Sequence, residues 1–389
     1  MQDFDVIVVG AGIVGSAFAL ALENAGLTVA VIEPHPPQAA SGEPAWDSRV
    51  YTISPGNAGW LDDLRVWTRI PADRLTRVET MLVYGDRHPS RVELSAYDAG
   101  MRELAWVAEN RELQRNLWNA LEDASHVTLY SAARCQDIGW ERDCACLTLD
   151  DGRALSARLV VGADGADSWV RDRAGITATL HDYRQLGVVA NFEIGRAHGG
   201  TAFQWFRPDG VLALLPLPGQ RVSMVWSAPL DWARALLESS PAALCEHVAS
   251  ASGGAVGSMQ LITPAAAFPL KRQRVDRLVE ARVALMGDAA HNVHPLAGQG
   301  VNLGLRDARE LAEVLTTRGA QHDCGDYALL RRYERARRED IAALELTTDG
   351  LEKLFSTPAV WMAALRNFGL TLVNAQPLLK TALVRRAVA

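Results

Sequence analysis

The strongest constraint on this chain lies in its first 33 residues. Asp5-Val6-Ile7-Val8-Val9 is a short β-branched run of the kind that forms a strand buried on both faces. It leads directly into Gly10-Ala11-Gly12-Ile13-Val14-Gly15, a G-x-G-x-x-G turn, and then into an Ala- and Leu-rich stretch, 13–25, suited to a packed helix. Thr28 to Ile32 is a second β-branched run, closed by Glu33. In such a βαβ unit Gly10 permits the tight turn, Gly12 lets backbone approach a pyrophosphate, and Gly15 lets the helix pack close to the sheet. The free N–H groups at the helix start favour phosphate charge. Glu33 stands where an acidic side chain accepts hydrogen bonds from adenosine ribose hydroxyls. The pattern by itself fits a nicotinamide or a flavin dinucleotide equally well.

A second segment separates the two. Arg282-Val283-Ala284-Leu285-Met286-Gly287-Asp288-Ala289-Ala290-His291 reads as a strand ending in Gly-Asp. It is followed by His294-Pro295-Leu296-Ala297-Gly298-Gln299-Gly300-Val301-Asn302-Leu303-Gly304-Leu305-Arg306-Asp307. A nicotinamide dehydrogenase has no need of this feature. Flavin adenine dinucleotide (FAD) does, because its ribityl chain and isoalloxazine extend beyond the dinucleotide turn. Asp288 can accept from a ribityl hydroxyl. The turn Gly298-Gln299-Gly300 and the helix start at Val301 and Asn302 can set backbone N–H groups against the flavin N1–C2=O edge. That edge becomes anionic on reduction, so a helix N-terminus there favours reduced flavin.

The run from His294 to Asp307 resembles the signature of the ubiquinone-biosynthesis hydroxylases, a branch of the aromatic-ring flavoprotein monooxygenases related to p-hydroxybenzoate hydroxylase. Val160 to Arg171 resembles the Asp-Gly motif of the same superfamily, which implies that Asp164 contributes to the flavin site and to nicotinamide docking. Read physically, Asp164-Gly165 is a turn after a buried strand, and Ser168 can cap the helix carrying Arg171. The resemblance also implies flavin contacts from Arg49, in Asp47-Ser48-Arg49-Val50, and from Arg111, in Glu109-Asn110-Arg111-Glu112-Leu113. Surface ion pairing is the plainer reading of both arginines. Gln204 to Gly210, Ala213 to Leu217 and Phe268-Pro269-Leu270 resemble substrate-domain strands. They offer Trp205, Phe206, Leu215 and Phe268 as pocket residues, with ordinary core packing as the alternative. His294 and Pro295 are the candidates for the flavin–substrate cavity. Asp62-Asp63, Arg65 and the end Arg385-Arg386-Ala387-Val388-Ala389 depart from the family pattern without touching the cofactor motifs.

The expected fold is α/β: a Rossmann-type FAD-binding domain formed by residues 1–179 and 271–345, an inserted β-sheet-rich substrate domain at 180–270, and a helical C-terminal region at 346–389. Helical segments are expected from about 49 to 120, and a helical tail from about 302. The implied reaction is hydroxylation of a polyprenylated phenol or quinol in ubiquinone biosynthesis through a C4a-hydroperoxyflavin, with dioxygen as co-substrate and NAD(P)H as electron donor. The alternatives are a monooxygenase of small soluble phenols or polyketides, and a flavin-dependent quinone or prenyl reductase.

Bulk properties exclude some partners. A net charge of -7 offers no basic footprint for nucleic acid. No uncharged stretch approaches the roughly twenty residues needed to span a bilayer, and no basic n-region precedes the apolar run at Phe4. The expected location is the cytoplasm. Residues 351–389 carry five Lys and Arg, among them Lys380 and Arg385, against Glu352 alone, so they could lie on the inner membrane face or on other quinone-biosynthesis proteins. The five cysteines are odd in number and scattered, which argues against a disulfide framework. Cys144-Ala145-Cys146 has the spacing of half a metal site. With no matching Cys/His pair nearby, no metal is expected.

Overall fold

The computed structural model describes residues 2–37, 46–85, 91–293, 298–319 and 321–356, with the side chains of 347–349 and 351–356 left aside. The chain runs β1 (Gln2–Val9), α1 (Ile13–Ala21), β2 (Val29–Glu33), β3 (Val50–Ile53), α2 (Pro55–Asp63), β4 (Leu75–Val78), β5 (Thr80–Tyr84), β6 (Arg91–Ser95), β7 (Ala105–Glu109) and α3 (Asn110–Asp123). It continues β8 (Val127–Ser131), β9 (Cys135–Trp140), β10 (Ala145–Leu149), β11 (Ala154–Gly162), α4 (Trp169–Arg173), β12 (Ala178–Ile194), β13 (Thr201–Arg207), β14 (Gly210–Leu217), β15 (Arg221–Pro229), α5 (Leu230–Glu238) and α6 (Pro241–Ala251). Last come β16 (Met259–Leu261), β17 (Ala266–Val275), β18 (Val279–Glu280), β19 (Val283–Leu285), β20 (His291–Asn292), α7 (Gly300–Thr316) and α8 (Tyr327–Ser356).

Three sheets form among the described residues. The first has the order β18-β19-β11-β1-β2-β8, with β10 on β11 and β9 on β10. Its centre is parallel: β1 pairs with β11 and β2, β2 with β8, and β11 with β19. Val6, Ile7, Val8, Val160 and Val161 are wholly buried, as strands covered on both faces require. Each contributes about 1.5–3 kcal/mol through burial. α1 packs on α7 and α3.

The second sheet runs β20-β17-β12-β15-β14-β13-β5-β6, with β16 on β12. One face packs under α5 and α6, where Trp226, Leu212, Leu214, Leu236 and Val248 form a core. The other face looks toward the third sheet, β3-β7-β4, through Leu215 and Leu217, which pack with Val78 and Val107.

Three expectations need correction. Among the described residues between 49 and 120 only Pro55–Asp63 and Asn110–Asp123 are α-helical, and five strands occupy much of the rest. Leu75–Val78 and Thr80–Tyr84 are mostly half-buried, which suits a pleated surface, and β5 extends the second sheet by pairing parallel to β13. Second, the stretch 180–270 carries α5 and α6 beside its strands. Third, the first helix stops at Ala21, and residues 22–26 are turns ending at Gly26 with φ +64°. The helical tail is interrupted between α7 and α8, and residues 357–389, with their basic amphipathic pattern, lie outside the described residues.

Candidate active site

The sequence motifs meet at the carboxyl ends of β1, β11 and β19, the edge where open parallel sheets bind ligands. Gly10 has φ +99°, and a Cβ there would lie 2.4 Å from the Ala163 carbonyl oxygen. A Cβ on Gly15 would lie 2.1 Å from the Gly10 carbonyl oxygen. Both glycines are therefore fixed by close backbone approach. Gly12 is different: it opens α1 without a side-chain cap, and a Cβ there would meet nothing within 4 Å. The helix start thus faces open space, with Ile13 and Val14 in its first turn. Glu33 accepts from the Ala11 N–H at 2.7 Å and the His35 N–H at 2.8 Å, one bond to each oxygen. A carboxylate has about four acceptor sites, so capacity remains for a ribose hydroxyl.

The Asp-Gly turn abuts the first one. Asp164 Cα lies 2.9 Å from where a Gly10 Cβ would stand. The Asp164 carboxylate accepts from Ser168 Oγ at 2.5 Å and from the Val170 N–H at 3.1 Å. Ser168 in turn accepts from the Arg171 N–H at 3.0 Å, the cap expected from the sequence. Burial pushes the Asp164 carboxyl above its ordinary range, against these hydrogen bonds. Arg171, buried, donates to the carbonyls of Ala166 at 2.8 Å and Ala289 at 3.3 Å. It ties the Asp-Gly turn to the Gly-Asp turn, a role no sequence signal distinguished.

Gly287 (φ +58°) and Asp288 follow β19 in a short 3-10 turn. α7 reaches this turn through Gly304, where a Cβ would lie 2.6 Å from Val14 Cγ2 and 3.2 Å from Gly287 Cα. The three motifs are thereby locked through one contact point. Asp288 is exposed to solvent, yet crowding by protein raises its carboxyl pKa, with His291 and then Arg49 pulling the other way. The Arg49 guanidinium lies 5.4 Å from the Tyr51 ring centroid, and burial, opposed by Arg49, pushes the Tyr51 phenol up to about 12. Arg49 and Arg111 are brought close by one carboxylate: Asp47 accepts from the Arg49 N–H at 2.9 Å and the Arg111 N–H at 3.1 Å.

At the start of α7 the first intrahelical bond is from the Leu303 N–H to Gln299 O, 2.9 Å. The N–H groups of Gly300, Val301 and Asn302 precede it and have no intrahelical acceptor. Gly298 (φ +60°) packs on Thr52, whose Oγ1 would be 2.3 Å from an added Cβ. The Asn302 side chain works as a clip. Its Nδ2 donates to Thr52 O at 2.7 Å, and its Oδ1 accepts from the Ser54 N–H at 2.8 Å and Asn57 Nδ2 at 2.9 Å. His294 and Pro295 lie outside the described residues.

The pocket candidates divide by strand alternation. Phe206 pairs with Val211, and Phe268 with Gly187; following the registers, Phe206, Leu215 and Phe268 share the face turned toward β3, β7 and β4. Asn191, on that face, donates to Asp47 O at 2.8 Å and so links it to the Arg49 segment. Trp205 sits on the opposite face, buried in the core under α5 and α6 and stacked on Tyr84 and Phe203 at 5.5 and 5.7 Å. A Trp in an alternating strand gives no sign of which face it takes.

Sequence reading also missed a buried charge network beneath the Gly-Asp turn. His291 Nε2 lies 2.6 Å from Asp307 Oδ2, which also accepts from the Gly287 N–H at 3.1 Å. Arg337 Nε donates to Asp307 Oδ1 at 2.8 Å. Burial alone would lower the His291 pKa, but the Asp307 carboxylate outweighs it and the net shift is upward. Burial likewise opposes ionisation of Asp307, and His291 and then Arg337 overcome it, so its pKa falls. Arg337 stands in the arginine-rich run Arg331 to Arg338 and is set apart only by its burial.

Residues 3–347 match the FAD binding domain family. The chain is 35% identical to ubiquinone hydroxylase UbiL of Rhodospirillum rubrum, over 99% of this chain and 89% of that protein. It is 33% identical to the 3-demethoxyubiquinol 3-hydroxylase of Escherichia coli, over 100% and 99% of the two chains. The fold is that of p-nitrophenol 4-monooxygenase from Pseudomonas putida, with TM-score 0.80 at 18% identity, covering 100% and 99% of the chains. FAD is the cofactor these motifs serve, and the α/β fold and the monooxygenase class expected from the sequence hold. By its motifs and its relatives, the chain belongs to the FAD-dependent monooxygenase family that includes the ubiquinone-biosynthesis hydroxylases.

Proposed function

We propose that this protein hydroxylates the aromatic ring of a polyprenylated phenol or quinol in ubiquinone biosynthesis. What supports the reading is the packing of the Gly10–Gly15 turn, the Gly-Asp turn and α7 against one another through Gly304, in a chain 33% identical over its whole length to a 3-demethoxyubiquinol 3-hydroxylase. When bound, FAD supplies the redox and oxygen-activating chemistry. Ala11, Gly12, Ile13 and Val14 present N–H groups or close backbone to the pyrophosphate, and Glu33 holds the adenosine ribose. Asp288 accepts from the ribityl chain. The N–H groups of Gly300, Val301 and Asn302, which have no intrahelical acceptor, would hold the flavin ring, and the helix dipole there would favour negative charge on it. Arg49, positioned by Asp47 over Tyr51, sits beside Asp288 and borders the substrate side.

Phe206, Leu215 and Phe268 supply apolar surface on the sheet face opposite the cofactor cleft. Such a wall orients a ring and excludes water, which a reactive oxygen donor requires. With no second dinucleotide turn in the sequence, NAD(P)H is proposed to dock transiently near Asp164. The prenyl chain gives the protein reason to work at the inner membrane face; among the described residues no helix is long and apolar enough to cross a membrane.

Purified holoenzyme given a prenylated phenol and reductant should consume oxygen in proportion to hydroxylated product. A deletion strain should accumulate the prenylated precursor by mass spectrometry. A normal quinone profile in that strain would refute the substrate assignment, and turnover without oxygen uptake would refute hydroxylation.

A further inference from the structure

On the first sheet, at the edge away from the flavin motifs, β9 and β10 meet in a tight turn. Trp140 pairs with Ala145, and the Glu141 N–H donates to Cys144 O at 2.8 Å. Glu141 and Cys144 therefore face each other across the hairpin end, on one side of the sheet. Cys146, two residues on, points to that same side. It stands opposite Gly139, whose missing side chain leaves the space beside it open, with nothing within 4 Å of an added Cβ. The turn itself is anchored: Arg282, buried, donates Nε to Arg142 O at 3.1 Å.

The three donors are spaced like ligands of one cation. The two sulfurs are 3.9 Å apart. Cys144 Sγ is 3.8 Å from Glu141 Oε2, and Cys146 Sγ is 3.6 Å from Glu141 Oε1. Tetrahedral zinc, with Zn–S about 2.3 Å and Zn–O about 2.0 Å, sets two sulfurs about 3.8 Å apart and a sulfur and an oxygen about 3.5 Å apart. Each sulfur is thus within a few tenths of an ångström of that spacing from its nearer Glu141 oxygen, and one oxygen and the two sulfurs all lie within 4.8 Å of one another. The sulfurs are also nearly twice as far apart as the roughly 2.05 Å of a disulfide.

We propose that Glu141, Cys144 and Cys146 form a binding site for a thiophilic divalent cation, Zn²⁺ foremost, with the fourth coordination position open to solvent. The sequence spacing offered only the two thiols, and the third donor arrives from the facing strand. The site is independent of the flavin. Cys146 pairs with Ser156 of β11, six residues before Gly162 at the cofactor edge, which is about 20 Å along a strand.

The test uses holoenzyme freed of metal with a chelator and titrated with Co²⁺, then with Zn²⁺ as competitor. Thiolate-coordinated Co²⁺ has ligand-field bands at longer wavelength than oxidised flavin absorbs. One equivalent should bind and be displaced by Zn²⁺. Cys144→Ser and Cys146→Ser should each weaken binding by more than the roughly 10- to 100-fold lost with an outer-shell partner. Glu141→Gln should weaken it less, Cys245→Ser should leave it intact, and flavin content should stay constant throughout. Binding of no equivalent, binding that survives in the Cys144→Ser/Cys146→Ser double variant, or recovery of the two thiols as a disulfide would overturn the site.

Discussion

Asp288 shows what a single residue contributes at the cofactor edge. Its carboxylate is reachable by solvent while crowded by protein, the situation of a group placed to accept from a ligand. A hydrogen bond to a charged group contributes about 1.5–3 kcal/mol, or roughly 10- to 150-fold in affinity. Asp288→Ala should lose FAD by that factor, read as flavin retained after gel filtration. A variant as fully flavinated as the wild type would remove Asp288 from the site. Beside it, His291 and Arg171 act on the turn rather than on a ligand, through Asp307 and the Ala289 carbonyl. Neither role was legible from spacing, because both depend on residues more than 15 positions away in sequence.

At the scale of elements, α7 joins the two halves of the site. Gly304 lets it close on Val14 and Gly287, and Asn302 pins its first turn to β3 and α2. Gly304→Ala would drive a methyl group against β-branched Val14, a side chain with little rotamer freedom. Overpacking of this kind costs about 1–3 kcal/mol, and chemical denaturation should show that loss together with weaker flavin binding. Asn302→Ala leaves the Ser54 N–H and the Thr52 carbonyl without their partner, about 1–3 kcal/mol for each buried group. Flavin binding that survives both substitutions unchanged would mean that α7 does not set the cleft. The Gly-x-Gly run at 298–300 announced the helix start, but the partners in β3 and α2 were not legible, since β3 was itself expected to be helical.

For the molecule as a whole, the buried network of His291, Asp307 and Arg337 joins β20 of the second sheet, α7 and α8. Its pH dependence follows from the two shifts. The raised His291 pKa gives stability that is complete below 6.5 and fades as pH climbs through the folded value. The lowered Asp307 pKa gives stability that is complete above 3.8 and fades as pH falls through the folded value. The network therefore contributes fully between those limits, and the gap in denaturation midpoint between wild type and His291→Asn should narrow above pH 6.5. A gap constant to pH 9 would show that His291 is neutral in the fold. Asp307→Asn strands two buried cations and should cost about 3–5 kcal/mol.

The sequence alone determined the cofactor class and the parallel sheet, because both rest on local rules: β-branched runs buried on two faces, and glycines where backbone must approach backbone. Glu33, Asp164 and Asp288 could be proposed from the sequence for the same reason, Glu33 closing β2 and the two aspartates lying two and three residues beyond β11 and β19. What only the tertiary structure decided are the pairings across the chain. These include the face taken by Trp205, the capture of β5 by the second sheet and the Arg337–Asp307 pair. Their residues are unremarkable in sequence, and their chemistry arises only when distant segments are packed until burial leaves each polar group to be satisfied by other protein groups.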